Sequence, residues 1–388
     1  MLQVYGPLRR FVAELVPTWR VTRTRNLALL ASALLVRRSL SLSELARAYP
    51  GGFSHHVRKK RLWRFLENRG LDLWALRRQL TYLALHTCGI DAGQRLPVLV
   101  DLTYWEPYAV LAASVPRAGR ALPSHWRTFR RDLAGEPELG QNQLVARCLA
   151  QGLERVPLEV QPVVVGDREF GRADLARWLT GRHWSFVLRV TADVQLAHPS
   201  STGLARDLPL RRGQRRWLTR VRYRHDGVVT VNLLAFWSRE HEPWLLITDL
   251  DDPAEVERLY RARMRIEHGF RDWKHHLKLR LPHSRLVRQA RHFGRLVTAE
   301  ALAYWCVCLI GLHALPRGYQ RQVTSWGRAS VFRLALELLA VPPPDLRSRL
   351  DRLLDRVVWV LAPSRLDPPS WRPHSRRFPP RYAWCPAA

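Results

Sequence analysis

Lysine and acidic residues are scarce in this chain of 388 residues. Lysine and arginine together number 63, against 33 aspartates and glutamates, so the net charge is +30 at pH 7. Only four of the basic residues are lysines, and arginine therefore carries nearly all of the positive charge. Arginine pairs bidentately with phosphate and with guanine, and so large an excess of charge favours a polyanionic partner. The composition predicts a nucleic acid partner.

Cysteines are also few, and a clean membrane-spanning segment is lacking. The five cysteines form no C-x-x-C pair, which argues against a disulfide framework or a zinc site and fits a reducing compartment. The N-terminus has no compact apolar segment of the signal-peptide type. The most apolar stretch contains Glu300 and His313 and is predicted to be a buried core helix. We therefore expect a cytoplasmic protein without a membrane partner.

Two short apolar runs each lead into an aspartate. Residues 96–100 precede Asp101, and residues 161–166 precede Asp167. Uninterrupted valine-rich runs are typical of strands buried on both faces, and the residue after such a strand commonly lies at the edge of a site. We therefore expect both aspartates at strand ends. Each one alone is more often an ordinary cap or turn residue, so a third acid is needed to support a site.

The third acid shares a predicted helix with two cations and a tyrosine. Arg263, Glu267 and Lys274 follow Tyr260 by 3, 7 and 14 positions. At about 100° per residue, the four side chains fall on one narrow stripe of an α-helix. A solvated salt-bridging face is the alternative explanation of this stripe. Together with the two aspartates, however, Glu267 completes a carboxylate set that suits a pair of Mg²⁺ ions.

The spacing of these four residues resembles the Y-R-E-K signature of bacterial insertion-sequence transposases of the DDE type. The resemblance covers about residues 96–315. It implies that Asp101, Asp167 and Glu267 are the catalytic acids and hold two Mg²⁺ ions, for which Mn²⁺ substitutes. It also implies an RNase H-like core with a β-rich insertion between the second aspartate and the glutamate. Glu267 lies 100 positions after Asp167, which leaves room for that insertion.

The same resemblance implies contacts with DNA. Tyr260, Arg263 and Lys274 are expected to contact phosphates at the transposon end. Trp244 precedes the helix on a predicted strand and is either a platform for a flipped base or a core tryptophan. Glu169 stands where many relatives have glycine, and it offers a fourth carboxylate near the site.

Residues 1–95 are predicted to form an all-helical, separate DNA-binding domain. A helix at residues 41–49 is followed by a Pro-Gly-Gly break and by a second helix with a dense basic face. This order is typical of a helix-turn-helix reader of DNA, although a solvated helix that contacts nothing would show the same pattern. The basic residues concerned are Arg58, Lys59, Lys60 and Arg61.

The predicted fold class is α/β, with an RNase H-like mixed sheet flanked by helices, a β-rich insertion, and helical N- and C-terminal parts. Residues 96–315 are the predicted catalytic domain, with the insertion at about 191–250. Residues 316–362 are the predicted helical C-terminal region, and residues 363–388 are a tail rich in proline and arginine. Between the two aspartates we expect two further strands, a helix and then the strand that leads into Asp167.

The resemblance implies an insertion-sequence transposase that acts in the cytoplasm near the bacterial nucleoid. Its substrates are expected to be double-stranded transposon ends and target DNA, cut and joined by two-metal phosphoryl transfer within a homodimeric synaptic complex. An RNase H-like nuclease or resolvase would share the three acids. A domesticated, non-catalytic DNA-binding protein would need only the basic N-terminal domain. A basic RNA-associated structural protein would explain the charge but not the aspartates.

Overall fold

The computed structural model describes residues 2–49, 52–132, 140–154, 156–224, 228–238, 242–277, 289–323 and 329–340. The predicted tail lies outside the described residues, as does the part of the predicted C-terminal region beyond Ala340.

Within the described residues, the N-terminal part of the chain is helical. Its helices are α1 (Leu2–Leu15), α2 (Val21–Arg37), α3 (Leu42–Ala48), α4 (His55–Glu67) and α5 (Leu73–Cys88). Asp72 caps α5 by accepting a hydrogen bond from the N–H of Ala75, and Gly89 ends the helix in the left-handed conformation. Thr81 of α5 donates to the carbonyl of Gly152. These helices share one hydrophobic core with the rest of the chain rather than standing apart as a separate unit.

The described residues contain one mixed sheet of ten strands. In chain order the strands are β1 (Arg95–Trp105), β2 (Tyr108–Arg117), β3 (Arg120–Arg130), β4 (Gln161–Gly166), β5 (Ser185–Arg189), β6 (Gln195–His198), β7 (Ser201–Leu204), β8 (Arg215–Arg224), β9 (Val228–Phe236) and β10 (Trp244–Thr248). Their order across the sheet is β3-β2-β1-β4-β5-β10-β9-β8-β6-β7. β3, β2 and β1 are antiparallel neighbours, and β1, β4 and β5 are parallel neighbours. This half of the sheet is consistent with an RNase H-like core.

The region predicted as a β-rich insertion supplies the other half of the sheet. β10 pairs antiparallel with β5 on one side and with β9 on the other. β8 pairs with β9 and β6, and β7 forms the edge. The added strands therefore extend the core sheet without a break, because β10 takes the position next to β5.

Seven further helices follow β3 in the described part of the chain. They are α6 (Gln141–Leu153), α7 (Ala173–Thr180), α8 (Pro253–Ala262), α9 (Met264–Arg271), α10 (Ala290–Ala314), α11 (Gln320–Val323) and α12 (Val331–Ala340). α6 lies between β3 and β4 along the chain, where the sequence predicts a helix. α8 packs on β4, β5 and β9, and α9 packs on β1, β2 and β3. The segment formed by α8 and α9 therefore passes across the strands that carry the two aspartates.

α10 is the buried core helix predicted from the sequence. Among the described residues it is the one helix long and apolar enough to cross a membrane, but 89% of its most apolar window is buried inside the protein. Trp305 of α10 donates through Nε1 to the carbonyl of Pro123 in β3 at 2.8 Å. The guanidinium of Arg295 donates to the carbonyls of Leu66 and Asn68 at the end of α4. α10 thus joins the N-terminal helices to the sheet.

Candidate active site

Neighbouring parallel strands place Asp101 and Asp167 side by side. The pairing of β1 with β4 aligns Leu99 with Val165, and the same register continued by two residues aligns Asp101 with Asp167. Asp167 directly follows β4, as predicted. The prediction is wrong for Asp101, which lies inside β1, because β1 goes on pairing with β2 as far as Trp105. Both aspartates nonetheless lie where the parallel pairing of the two strands ends.

A tight turn fixes the backbone after Asp167. The Asp167 carboxylate accepts a hydrogen bond from the N–H of Glu169 at 3.0 Å and so begins a short 3-10 turn. At Gly171, a Cβ atom would lie 2.1 Å from the carbonyl oxygen of Arg189, so only glycine fits. The hydroxyl of Tyr223 donates to the carbonyl of Gly171 at 2.5 Å. β5 and β8 therefore hold the turn, and with it the second aspartate.

The segment that carries Tyr260, Arg263, Glu267 and Lys274 consists of three helical pieces. Tyr260 lies in α8, Arg263 joins α8 to α9, Glu267 lies in α9, and Lys274 lies in a π-helical turn at residues 272–276. The prediction of one uninterrupted α-helix is therefore wrong. Arg263 keeps right-handed helical angles, with φ −57° and ψ −37°, so the chain still follows a helical course through the junction. π-helical turns recur at functional sites, which suits the position of Lys274.

Arg263 lies among the three predicted acids. Its Nη2 is 2.9 Å from Oδ2 of Asp167 and 3.5 Å from Oδ2 of Asp101. Its Nη1 donates to Oε1 of Glu267. The Arg263 side chain is only 9% exposed. Three carboxylates from β1, the end of β4 and α9 therefore meet at one buried guanidinium group.

One guanidinium, that of Arg263, contacts all three carboxylates of this cluster. Burial raises the pKa of Asp101 to about 7, while the Arg263 cation opposes the rise and the Asp167 carboxylate adds to it. Burial lowers the pKa of Arg263, but the charges of Asp101 and Asp167 outweigh that effect and raise it overall. Arg263 therefore stays charged, and the cluster attracts further positive charge.

The donor set fits a hard divalent cation in chemistry and in charge. Asp101, Asp167 and Glu267 offer carboxylate oxygens, the ligands that Mg²⁺ prefers. In this structure the positive charge next to the three carboxylates is that of the Arg263 guanidinium. Among the described residues, no three His, Cys, Asp or Glu side chains lie close enough to hold a metal ion between them. The Arg263 guanidinium occupies the space between the three carboxylates.

Tyr260 and Trp244 pack against each other in the core. Their ring centroids are 4.9 Å apart in an edge-to-face arrangement, and the residues are 4% and 9% exposed. Arg189 hydrogen-bonds to Tyr260, and the ring of Phe236 in β9 lies 5.9 Å from the ring of Trp244 in an edge-to-face arrangement. The structure places Trp244 as a core tryptophan, the alternative left open by the sequence. A base-stacking role stays a prediction, as does a phosphate contact by Tyr260.

Aromatic residues on β1 that the sequence did not single out line the same site. The Nζ of Lys274 lies 4.9 Å from the ring centroid of Trp105, and burial lowers the pKa of Lys274 while the charge of Asp101 opposes this. Tyr104 is exposed and hydrogen-bonds to Glu169, the fourth carboxylate noted in the sequence. The sequence feature that could have indicated them is the aromatic pair three and four residues after the first aspartate, on the same strand.

The basic residues of α4 lie on the N-terminal helices. Ser54 caps α4 by accepting a hydrogen bond from the N–H of Val57. α4 packs on α2, α3 and α10. Lys60 and Arg61 are exposed. The remaining two, Arg58 and Lys59, are half-buried.

Comparison with protein families supports a transposase domain of the DDE type in part of the chain. Residues 141–306 match the family model described as Transposase DDE domain. The matched segment includes Asp167 and Glu267 but begins after Asp101. The position of Asp101 at the site therefore rests on the strand register and on its contact with Arg263. No curated protein matches the chain. The family match and the mixed α/β sheet together support a DDE-type transposase, an enzyme class that cuts and joins DNA.

Proposed function

We propose that this chain is the transposase of a bacterial insertion sequence, which cuts and joins double-stranded DNA at the ends of its element as a homodimer. The meeting of Asp101, Asp167 and Glu267 at Arg263 is the observation that supports the proposal most. A structural ion pair needs one carboxylate for one guanidinium. Burial of the Asp101 carboxylate, which raises its pKa to about 7, costs stability, and a carboxylate perturbed in this way is typical of functional sites.

The proposed chemistry is two-metal phosphoryl transfer, in which these three acids hold the ions. Bound Mg²⁺, or Mn²⁺ in its place, would supply Lewis-acid activation of the attacking oxygen and stabilisation of the departing one. Arg263, once turned away from the acids, is suited to a DNA phosphate, because a guanidinium binds phosphate bidentately. Lys274, over Trp105 and near Asp101, provides a second cation for the same DNA strand.

Tyr260 and Trp244 remain part of the proposed DNA interface, with a condition set by their burial. Trp244 can stack on a flipped base only if its side chain becomes accessible when DNA binds, and the same holds for a phosphate contact by Tyr260. In the free protein, Tyr260 is one helical turn before Arg263 and packs on Trp244, so the pair supports the helix junction that carries Arg263.

The exposed cations of α4 are proposed to contact phosphates of the transposon end. Replacing Lys60 and Arg61 with Gln removes two charges from exposed side chains. We expect the plot of log K against log salt for an end duplex to become less steep by about 2, since each phosphate contact contributes about 0.9. Fluorescence anisotropy at several salt concentrations measures this slope. An unchanged slope would remove α4 from the DNA interface.

The proposed activity is tested with DNA that carries the repeats flanking the gene. We expect the purified chain to nick this DNA at the repeat ends in Mg²⁺ and to join the resulting 3′ ends to a second duplex. Cleavage without joining would indicate an RNase H-like nuclease or resolvase. Binding without cleavage would indicate a non-catalytic DNA-binding protein, and equal binding to every duplex with no cleavage would contradict the proposal.

A further inference from the structure

A second charged surface lies on the segment formed by α8 and α9. It is a groove of about 440 Å³ between these helices and β8. The charged residues of this arginine groove are Arg215, Glu257, Arg258, Arg261 and Arg265. Within α9, Arg265 and Glu267 are two positions apart, so at about 100° per residue they lie roughly 160° apart around the helix axis. The arginine groove and the acid cluster are thus on opposite sides of one helical segment.

Two arginines of the groove are held in place by a buried carboxylate. Arg215 donates to Oε2 of Glu257 at 2.8 Å, and Arg261 donates to Oε1 at 2.6 Å. The Glu257 side chain is only 9% exposed. The guanidinium of Arg215 lies 5.0 Å from the ring centroid of Phe236, and that of Arg261 lies 5.3 Å from the ring centroid of Trp244. The two cations are therefore ordered before a ligand binds, which lowers the entropic cost of binding.

The other two arginines leave the groove with excess positive charge. Arg258 is 69% exposed, and its carboxylate partner Glu255 is shared with Arg95. Arg265 is half-buried on the same side of the helix. Four arginines and one glutamate line the groove, so the net charge of its lining is +3. Internal ion pairing alone does not account for this set, because Glu257 is already paired twice.

We propose that the arginine groove binds the phosphate backbone of target DNA, meaning duplex that lacks the repeats of the transposon end. This proposal rests on the proposed transposase function. Guanidinium groups bind phosphates without reading bases, and a lining dominated by charge is unlike the mostly apolar lining of small-molecule sites. The groove lies on the opposite side of the helical segment from the acids, so a second duplex can approach while the end occupies the acid cluster.

Trp244 connects the two surfaces. Its ring contacts Tyr260, one turn before Arg263, and also lies beneath the guanidinium of Arg261 in the groove. The two DNA segments would therefore be held on either side of one buried aromatic residue.

The test uses the full chain saturated with end duplex in EDTA, so that cleavage plays no part. A labelled random duplex of about three helical turns is then added, and its anisotropy is followed against salt. The variant is Arg258→Gln with Arg265→Gln, which leaves both partners of Glu257 in place. The control, Arg211→Gln with Arg212→Gln, removes the same charge from two exposed residues just before β8. We expect the slope of log K against log salt for the second duplex to fall by about 2 in the variant and to stay near wild type in the control.

Two outcomes would overturn the proposal. Equal changes in the variant and the control would mean that net charge alone is responsible. Loss of end-duplex binding with second-duplex capture unchanged would assign the groove to the end instead. Neither outcome bears on cleavage, which is measured separately, so failure here leaves the proposed transposase function standing.

A further variant keeps every ion pair of the groove. Ala254→Glu adds a carboxylate to the lining at an exposed position in the first turn of α8, where a negative charge suits the helix N-terminus. We expect its thermal stability to stay near wild type and its capture of the second duplex to weaken. Capture equal to wild type would contradict the proposal.

Discussion

Asp101→Asn is expected to abolish metal-dependent cleavage of end DNA and to make the metal-free protein more stable at about pH 8. The loss of cleavage should be roughly a thousandfold or more, because the acids act as one unit. The gain in stability follows from the pKa of Asp101, which burial raises from 3.8 to about 7. A pKa rise of this size means that the folded protein disfavours the ionised carboxylate of Asp101 by about 4 kcal/mol. The neutral amide keeps the shape of the side chain and removes that charge.

The pH dependence of this gain has a definite sign. The pKa of Asp101 is higher in the folded protein than in the unfolded chain, so the folded state binds the extra proton between about pH 4 and pH 7. The stability of the wild type should therefore fall through this range, and the advantage of Asp101→Asn should grow through it. Urea denaturation at several pH values, together with a nicking assay, measures both effects.

An exposed aspartate serves as the control for Asp101→Asn. Asp132 has a side chain that is 55% exposed and pairs with Arg130 at the surface. Asp132→Asn should change the free energy of unfolding by less than about 0.5 kcal/mol and leave cleavage intact. Full nicking by Asp101→Asn in Mg²⁺ would exclude the role assigned to this acid.

Arg263→Gln is expected to destabilise the metal-free protein by about 3 kcal/mol near neutral pH. The reason is that the substitution leaves the buried Asp101 and the half-buried Asp167 without their shared cation, and removing one partner of a buried ion pair costs about 3 to 5 kcal/mol. Added Mg²⁺ or Mn²⁺ should restore more stability to the variant than to the wild type, because the ion no longer competes with the guanidinium. Urea denaturation in EDTA and in metal measures the difference.

Arg131→Gln is the matched control for that experiment. Arg131 is 63% exposed and pairs with an exposed Glu106, so its loss should cost less than about 0.5 kcal/mol and should not alter the response to metal. If Arg263→Gln behaved like this control, the cation would have no special relation to the acids.

The carboxylate cluster could be predicted because each part has a local signal. Valine-rich runs mark β1 and β4, and the register between them brings Asp101 and Asp167 together. The helical spacing around Glu267 marks the third element. The order of strand, strand, strand, helix and strand from β1 to β4 also agrees with the order expected from the sequence.

The remaining features depend on contacts between distant parts of the chain. The sequence assigned Arg263 to a phosphate, but which group a guanidinium meets is decided by tertiary packing, and here it meets the acids. Asp101 lies inside β1 because β2 extends the pairing beyond β4. The burial of Trp244 depends on β9 and α8, and the arginine groove needs β8 to bring Arg215 to the helices. No repeating pattern in the sequence predicts any of these contacts.

Metal binding by the acids tests the central claim most directly. Mn²⁺ titration of the complex with end DNA, followed by electron paramagnetic resonance, should show two bound ions per active site in the wild type. Asp101→Asn, Asp167→Asn and Glu267→Gln should each weaken or remove this binding. Mn²⁺ binding with the same stoichiometry and affinity in all three variants would contradict the assignment of Asp101, Asp167 and Glu267 as the metal ligands.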